Sequence, residues 1–190
     1  GGGAATVVPL HGDFDATVDF EVAHPAQGTT LELAAIGIDA GYHNIDNSNL
    51  GSRTVNLTFD VHGAPPYASS ERDQNDGFRC GWNNAYNLTQ IAPDWEARSV
   101  NMYNKYTRDV GDGSPANPTG SLRLVRHGPL FAGYYRDAHN REWVGSGAML
   151  VASMPDDCYL RLALKHWKKA SAPVPPANHI VFSNFKVRQW

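Results

Sequence analysis

Cysteine is nearly missing from this chain: only Cys80 and Cys158 occur in 190 residues, too few for a disulfide-rich scaffold. Both fall in predicted strands far apart in sequence, so a bond between sheets, a bond between neighbouring strands and two buried free thiols all stay open. Long apolar runs are absent too. No stretch approaches the roughly 20 residues that span a bilayer and no signal-peptide pattern opens the chain, so membrane insertion is not expected and the chain reads as soluble. Charge is sparse, with 18% charged residues and a formal net charge of -3. Scattered Lys and Arg form no basic stripe to attract a phosphate backbone, and nucleic acid is not an expected partner. The eight histidines show no H-x-x-x-H or Cys-His spacing for zinc. Gly145-Ser146-Gly147 lacks the spacing of a nucleophile elbow. Finally, apolar residues nowhere recur at three-and-four spacing over ten positions without Gly, Pro or strand-like alternation intervening, which excludes a helix of ordinary length.

What is present is alternation. From Gly12 to Ala23, Phe14, Ala16, Val18, Phe20 and Val22 take one side and Asp13, Asp15, Thr17, Asp19 and Glu21 the other. Arg53 to His62 repeats the pattern, with Val55, Leu57, Phe59 and Val61 against Thr54, Asn56, Thr58, Asp60 and His62. Asp157 to Trp167 places Cys158, Leu160, Leu162 and Leu164 inward and Tyr159, Arg161, Ala163 and Lys165 outward. Thr29 to Ile38 is more continuously apolar, as a strand covered on both sides should be. Further strands are expected at Phe78 to Trp82 and Trp95 to Tyr103. In Gly120 to Trp143, two strands flank the His127-Gly128-Pro129 step and a third follows the Arg136 to Asn140 turn. Ten to twelve strands in one chain of this length predict a single domain over residues 1–190, folded as a two-sheet antiparallel sandwich that hides most edges.

The wording G-x-L-R-L-x-R-x-G, followed by an aromatic pair, a turn and Trp143, resembles the carboxy-terminal half of the concanavalin A-like lectin/glucanase superfamily, which includes the laminin G-like domains. Ile180 to Val187 is similar to the closing strand of those domains, and Gly12 to Asp15 to the start of their first long strand. The resemblance implies a jelly-roll sandwich, an outward sheet face used as a glycan platform, and an extracellular or cell-surface location. Low lysine content agrees with that location. Fold alone does not carry function.

Candidate ligand-binding residues follow from surface chemistry. Thr54, Asn56, Thr58, Asp60 and His62, with Tyr159, Arg161 and Lys165, offer hydrogen bonds to sugar hydroxyls, against the plainer reading of a solvated sheet face. Tyr86, Trp95 and Tyr103 lie among asparagines in the loop-rich middle, where a flat ring suits the C-H face of a pyranose. Trp82 continues the period of Phe78 and Cys80 and reads as core.

Catalysis has weaker support: the E-x-D-x-x-E strand of β-glucan hydrolases is absent, leaving Asp19 and Glu21 as a pair on one strand face. A lyase-like grouping of Arg53, His62, Tyr159 and Arg161 has no motif behind it. No cofactor is required; if a metal binds, it is calcium at the oxygen-rich loop Asp73, Asn75, Asp76, although solvated turns are the better reading of this loop and of Asp109 with Asp112. Asn56 and Asn87 match the glycosylation acceptor pattern.

The chain begins at Gly1, as a processed or engineered product would. Residues 1–10 read as an amino-terminal strand, paired either alongside the closing strand or with a neighbouring copy in an oligomer or filament. Three functions are therefore weighed: a secreted or surface glycan-binding domain, a structural or adhesive subunit joined through its terminal strands, and a glycan-cleaving enzyme, with binding ahead of catalysis.

Overall fold

A computed structural model describes residues 2–23, 29–38, 52–61, 77–83, 100–105, 119–137, 141–151, 154–166 and 179–190. Among these lie twelve strands and no helix: β1 (Gly2–Ala5), β2 (Leu10–His11), β3 (Phe14–Ala23), β4 (Thr29–Ile38), β5 (Ser52–Val61), β6 (Gly77–Asn83), β7 (Val100–Lys105), β8 (Thr119–His127), β9 (Leu130–Asp137), β10 (Val144–Leu150), β11 (Asp157–His166) and β12 (His179–Gln189). They form two antiparallel sheets. One has seven strands in the order β1-β11-β4-β5-β6-β7, with β2 also on β11; the other has five in the order β10-β9-β8-β3-β12.

Period-two alternation decides which side of each strand enters the sandwich. Phe14, Ala16, Val18, Phe20 and Val22 of β3 join Leu122, Leu124, Phe131 and Tyr135 in facing Leu31, Leu33, Ala35, Val55, Leu57, Phe59 and Leu160 of the other sheet. Burying each large apolar side chain contributes roughly 1.5–3 kcal/mol before entropy is counted. Phe20 stacks on Phe59 across the sheets with centroids 5.3 Å apart, and Phe14 meets Phe131 edge-on at 6.4 Å. One end is closed by Arg126, which is buried yet bonded. Its guanidinium donates to the carbonyls of Gly128 and Asp156 and lies 5.4 Å from the Phe131 ring centroid.

Residues 29–37 are buried on both faces, as the continuous apolar character of this strand predicts. Of the expected strand Trp95 to Tyr103, the described part lies in β7, Val100–Lys105, which pairs Val100 with Trp82; residues 95–99 lie outside the described residues. The amino-terminal strand does not lie beside the closing strand. β1 pairs with Leu164 to Arg161, Thr6 exchanges bonds with Leu160, and β2 pairs with Asp157 and Cys158, so residues 2–11 cover the edge of β11.

Cys158 is a buried free thiol, and burial pushes it up to about 11. Cys80 sits in the same sheet on β6, separated from β11 by β4 and β5. That separation rules out both pairings considered from the sequence, since a disulfide needs Cα atoms within about 7 Å and each strand step is about 4.8 Å.

The closing strand departs from simple alternation. Ile180 and Phe182 pack against the core, and so does Val187, five residues beyond Phe182. An odd separation can share one face only if a residue is added. A bulge between Ser183 and Lys186 supplies it, with Asn184 at φ 52°. At the other side of β3, Gly120 runs so close to its neighbours that a Cβ there would lie 2.7 Å from the Arg136 carbonyl oxygen and 2.9 Å from the Phe20 ring. Gly120→Ala is expected to cost about 1–3 kcal/mol by displacing Phe20 from Phe59. A urea-unfolding midpoint measured beside the exposed control Thr119→Ala checks this; equal midpoints would refute it.

Candidate functional site

The residues between the core positions of β11, β4 and β5 face away from the five-stranded sheet. They are polar and still buried. Glu32 is 0% exposed and Arg161 6%, and Nε and Nη2 of Arg161 donate to Glu32 Oε1 at 3.1 and 2.6 Å. The other carboxylate oxygen accepts from Asn56 Nδ2 at 3.2 Å. A buried carboxylate is tolerable only with its charge matched and both oxygens engaged, and here both conditions are met. Thr30, Thr54, Thr58, Ala34 and Ile36 complete a closed floor around the pair. Within it, the buried Thr54 Oγ1 has no hydrogen-bond partner.

Register extends this face sideways. Thr58 is followed by Arg79 and Tyr103, Asn56 by Gly81 and Asn101, Thr54 by Asn83, and Thr30 by Asp60, Gly77 and Lys105. Asn56, Tyr159 and Arg161, chosen from the sequence, therefore share one face of one sheet; Asp60 and Tyr103 pair in the backbone register with Thr30 and Arg79, and their side chains lie outside the described residues. Tyr86, Trp95 and His62 lie outside the described residues, as do Asp73, Asn75 and Asp76. Arg53 pairs with Gly37 in the backbone register, and the lyase-like grouping of Arg53 and His62 with Tyr159 and Arg161 reaches beyond the described residues. Among the described residues no cluster of three His, Cys, Asp or Glu side chains fits a metal ion, and no step is assigned to calcium. Glu32 is the residue that sequence reasoning missed. Its signal was a lone charge inside a run buried on both sides, which requires a buried partner.

The outward face of the five-stranded sheet holds a second polar network, and it is more open. Arg123 makes a two-point ion pair with Asp15, Nε to Oδ1 at 2.9 Å and Nη2 to Oδ2 at 2.6 Å. Its guanidinium carbon lies 5.4 Å from the ring centroid of Tyr134 and 5.8 Å from that of Trp143, and Arg136 lies 4.7 Å from Trp143. Arg136 Nε donates to Ser121 Oγ at 3.2 Å, and Ser121 donates to Asp19 Oδ1 at 2.5 Å. Asn184 Nδ2, carried inward by the bulge, donates to Asp19 Oδ2 at 2.9 Å.

Desolvation pushes the Asp19 carboxyl up, but hydrogen bonds from Ser121 and Asn184 and the charges of Arg136 and Lys186 outweigh it and bring the group below its ordinary 3.8. These contacts favour the ionised carboxylate of Asp19.

Two outcomes follow. Glu32→Ala is expected to destabilise the fold by about 3–5 kcal/mol by stranding Arg161, whereas replacing Glu32 and Arg161 together with methionine should cost much less. Denaturant unfolding of both variants checks it, and equal losses would refute the pairing argument. Asp19 contributes stability above the ordinary carboxylate range that is lost as pH falls through its lower folded value. Carboxyl NMR titration should place Asp19 below 3.8, and higher in Ser121→Ala; an unchanged midpoint in the variant would refute the assignment.

No protein-family model matches the chain. No curated protein sequence matches it either. Solved structures do. A legume lectin-like domain from Entamoeba histolytica aligns over 100% of this chain and 81% of its own, with TM-score 0.58 and 7% identity. The exoplasmic/lumenal domain of VIP36, in a Ca2+/Man-bound form, aligns over 98% and 72%, with TM-score 0.52 and 12% identity. An alginate lyase from Klebsiella pneumoniae aligns over 95% of this chain but 61% of its own, with TM-score 0.54 and 10% identity. Two antiparallel sheets that superpose on lectin-like domains at such low identity give the backbone its class: a concanavalin A-like jelly-roll sandwich, a lectin-like fold.

Proposed function

We propose that this protein is a carbohydrate-binding domain of the cell surface or the secreted space, holding a glycan against the outward polar face of its seven-stranded sheet. The observation that carries the reading is that Asn56, Tyr159 and Arg161 share that one face, around a buried carboxylate. A sugar presents hydroxyls that both donate and accept, and the partly exposed Asn56 and Tyr159 supply complementary groups. Glu32 is spent on Arg161 and Asn56 and acts as a positioning residue. The lectin-like neighbours, one of them in a Ca2+/Man-bound form, support the same reading.

Tyr159 is only partly buried and can be changed without opening the core, whereas Asn56 also bonds Glu32, so its variant is compared with the parent by denaturant unfolding before binding is read. Asn56→Ala and Tyr159→Ala are each expected to weaken the best glycan from an array by about five- to tenfold, the effect of one or two lost hydrogen bonds. Calorimetric titration, run with and without calcium, reads the change. Retention of no glycan by the parent protein, or unchanged affinity in both variants, would overturn the proposal.

A further inference from the structure

The outward face of the five-stranded sheet carries a depression of about 500 Å³ lined by Asp19, Thr119, Ser121, Arg136, Asp137 and Arg141. We propose that it is a second, separate ligand site, which takes an acidic sugar through a carboxylate or sulfate group.

The argument rests on which charges are already satisfied. Arg123 is neutralised by Asp15 through two bonds, and Asp19 is held by a hydroxyl and an amide, Ser121 and Asn184. Arg136 is left with a 3.9 Å contact to Asp19 and one hydrogen bond to Ser121, so its Nη1 edge makes no bond to a described residue. Arg141 is exposed at the rim, without an ion pair among the described residues. Lys186 and Arg188 stand on the same face, opposite Thr17 and Asp15.

The lining balances Asp19 and Asp137 against Arg136 and Arg141, so its attraction for an acid lies in the open donors of the two guanidinia and not in net charge. Trp143 lies against the Arg136 guanidinium, which fixes the orientation of the planar fork. A fork held in place is suited to a two-point bond with a carboxylate or sulfate. The carboxylate of Asp137 in the same lining argues against a bare inorganic anion and for a ligand that also brings hydroxyl donors. An acidic sugar has both.

This site lies on the opposite sheet from the glycan face proposed above and does not depend on it. The test titrates a polyuronate tetrasaccharide, a sulfated tetrasaccharide and a neutral tetrasaccharide into the whole protein at low salt, with amide shifts around Trp143 as the site-specific readout. Arg141→Gln, at an exposed position, is expected to weaken the acidic ligand about tenfold and to leave folding unchanged. Arg136→Lys keeps the charge but loses the fork, and should also weaken it. Whichever acid is held more tightly identifies the group. Equal affinity for the neutral tetrasaccharide, or acid binding that survives Arg141→Gln, would overturn the proposal. So would acid binding that Asn56→Ala abolishes, because that result places the ligand on the other sheet.

Discussion

The constraint on which the rest of the structure depends is that Glu32 cannot enter the sandwich. β4 is buried on both faces, so its alternation does not itself say which side is which. A slip of one residue would bring every outward residue of β4 into the apolar core, an ionised carboxylate among them. Arg161 from β11 and Asn56 from β5 meet Glu32 from opposite sides, and the three strands are thereby locked in one register. Hydrophobic burial supplies the stabilisation, while this polar triad supplies the uniqueness. The same lock arranges the face on which glycan recognition is proposed.

The two outward faces are built on different physical plans. The seven-stranded sheet hides its charges and presents neutral hydrogen-bonding groups beside them. Its opposite number keeps charges half-exposed, linked in a chain from Asp15 through Arg123 and Trp143 to Arg136, Ser121, Asp19 and Asn184. Electrostatics on the first face is strong but internal. On the second it is weaker and reaches solvent, where salt screens it.

Much of the fold was legible because strand alternation is a two-residue code that burial enforces directly. Phe14 to Val22, Val55 to Phe59 and the meander from Gly120 to Leu150 all lie as their patterns require. The pairing of residues 2–11 along β11 was not legible, because Gly2–Ala5 carries no apolar face and is placed by backbone bonds alone. The bulge in β12 could have been read from the odd spacing of Phe182 and Val187. Of the candidate site, the common face of Asn56, Tyr159 and Arg161 was visible as parity. The partners were not, since parity says nothing of which strands become neighbours. Arg123, Arg136 and Trp143 escaped for a related reason: a charge in an alternating strand looks the same whether it meets water or a ring on the next strand.

The bulge at Asn184 bears on how copies of this chain could meet. β12 is an outer strand of its sheet, and an outer strand with a regular ladder invites another chain to zip onto it. Here the ladder is interrupted midway and its asparagine is tethered back to Asp19. The carboxy-terminal border is thus a poor seam for polymerisation: a newcomer would lose register after four or five residues. Any growth by added strands is steered toward the remaining borders, and the molecule is polar in its sociability as well as in its chemistry.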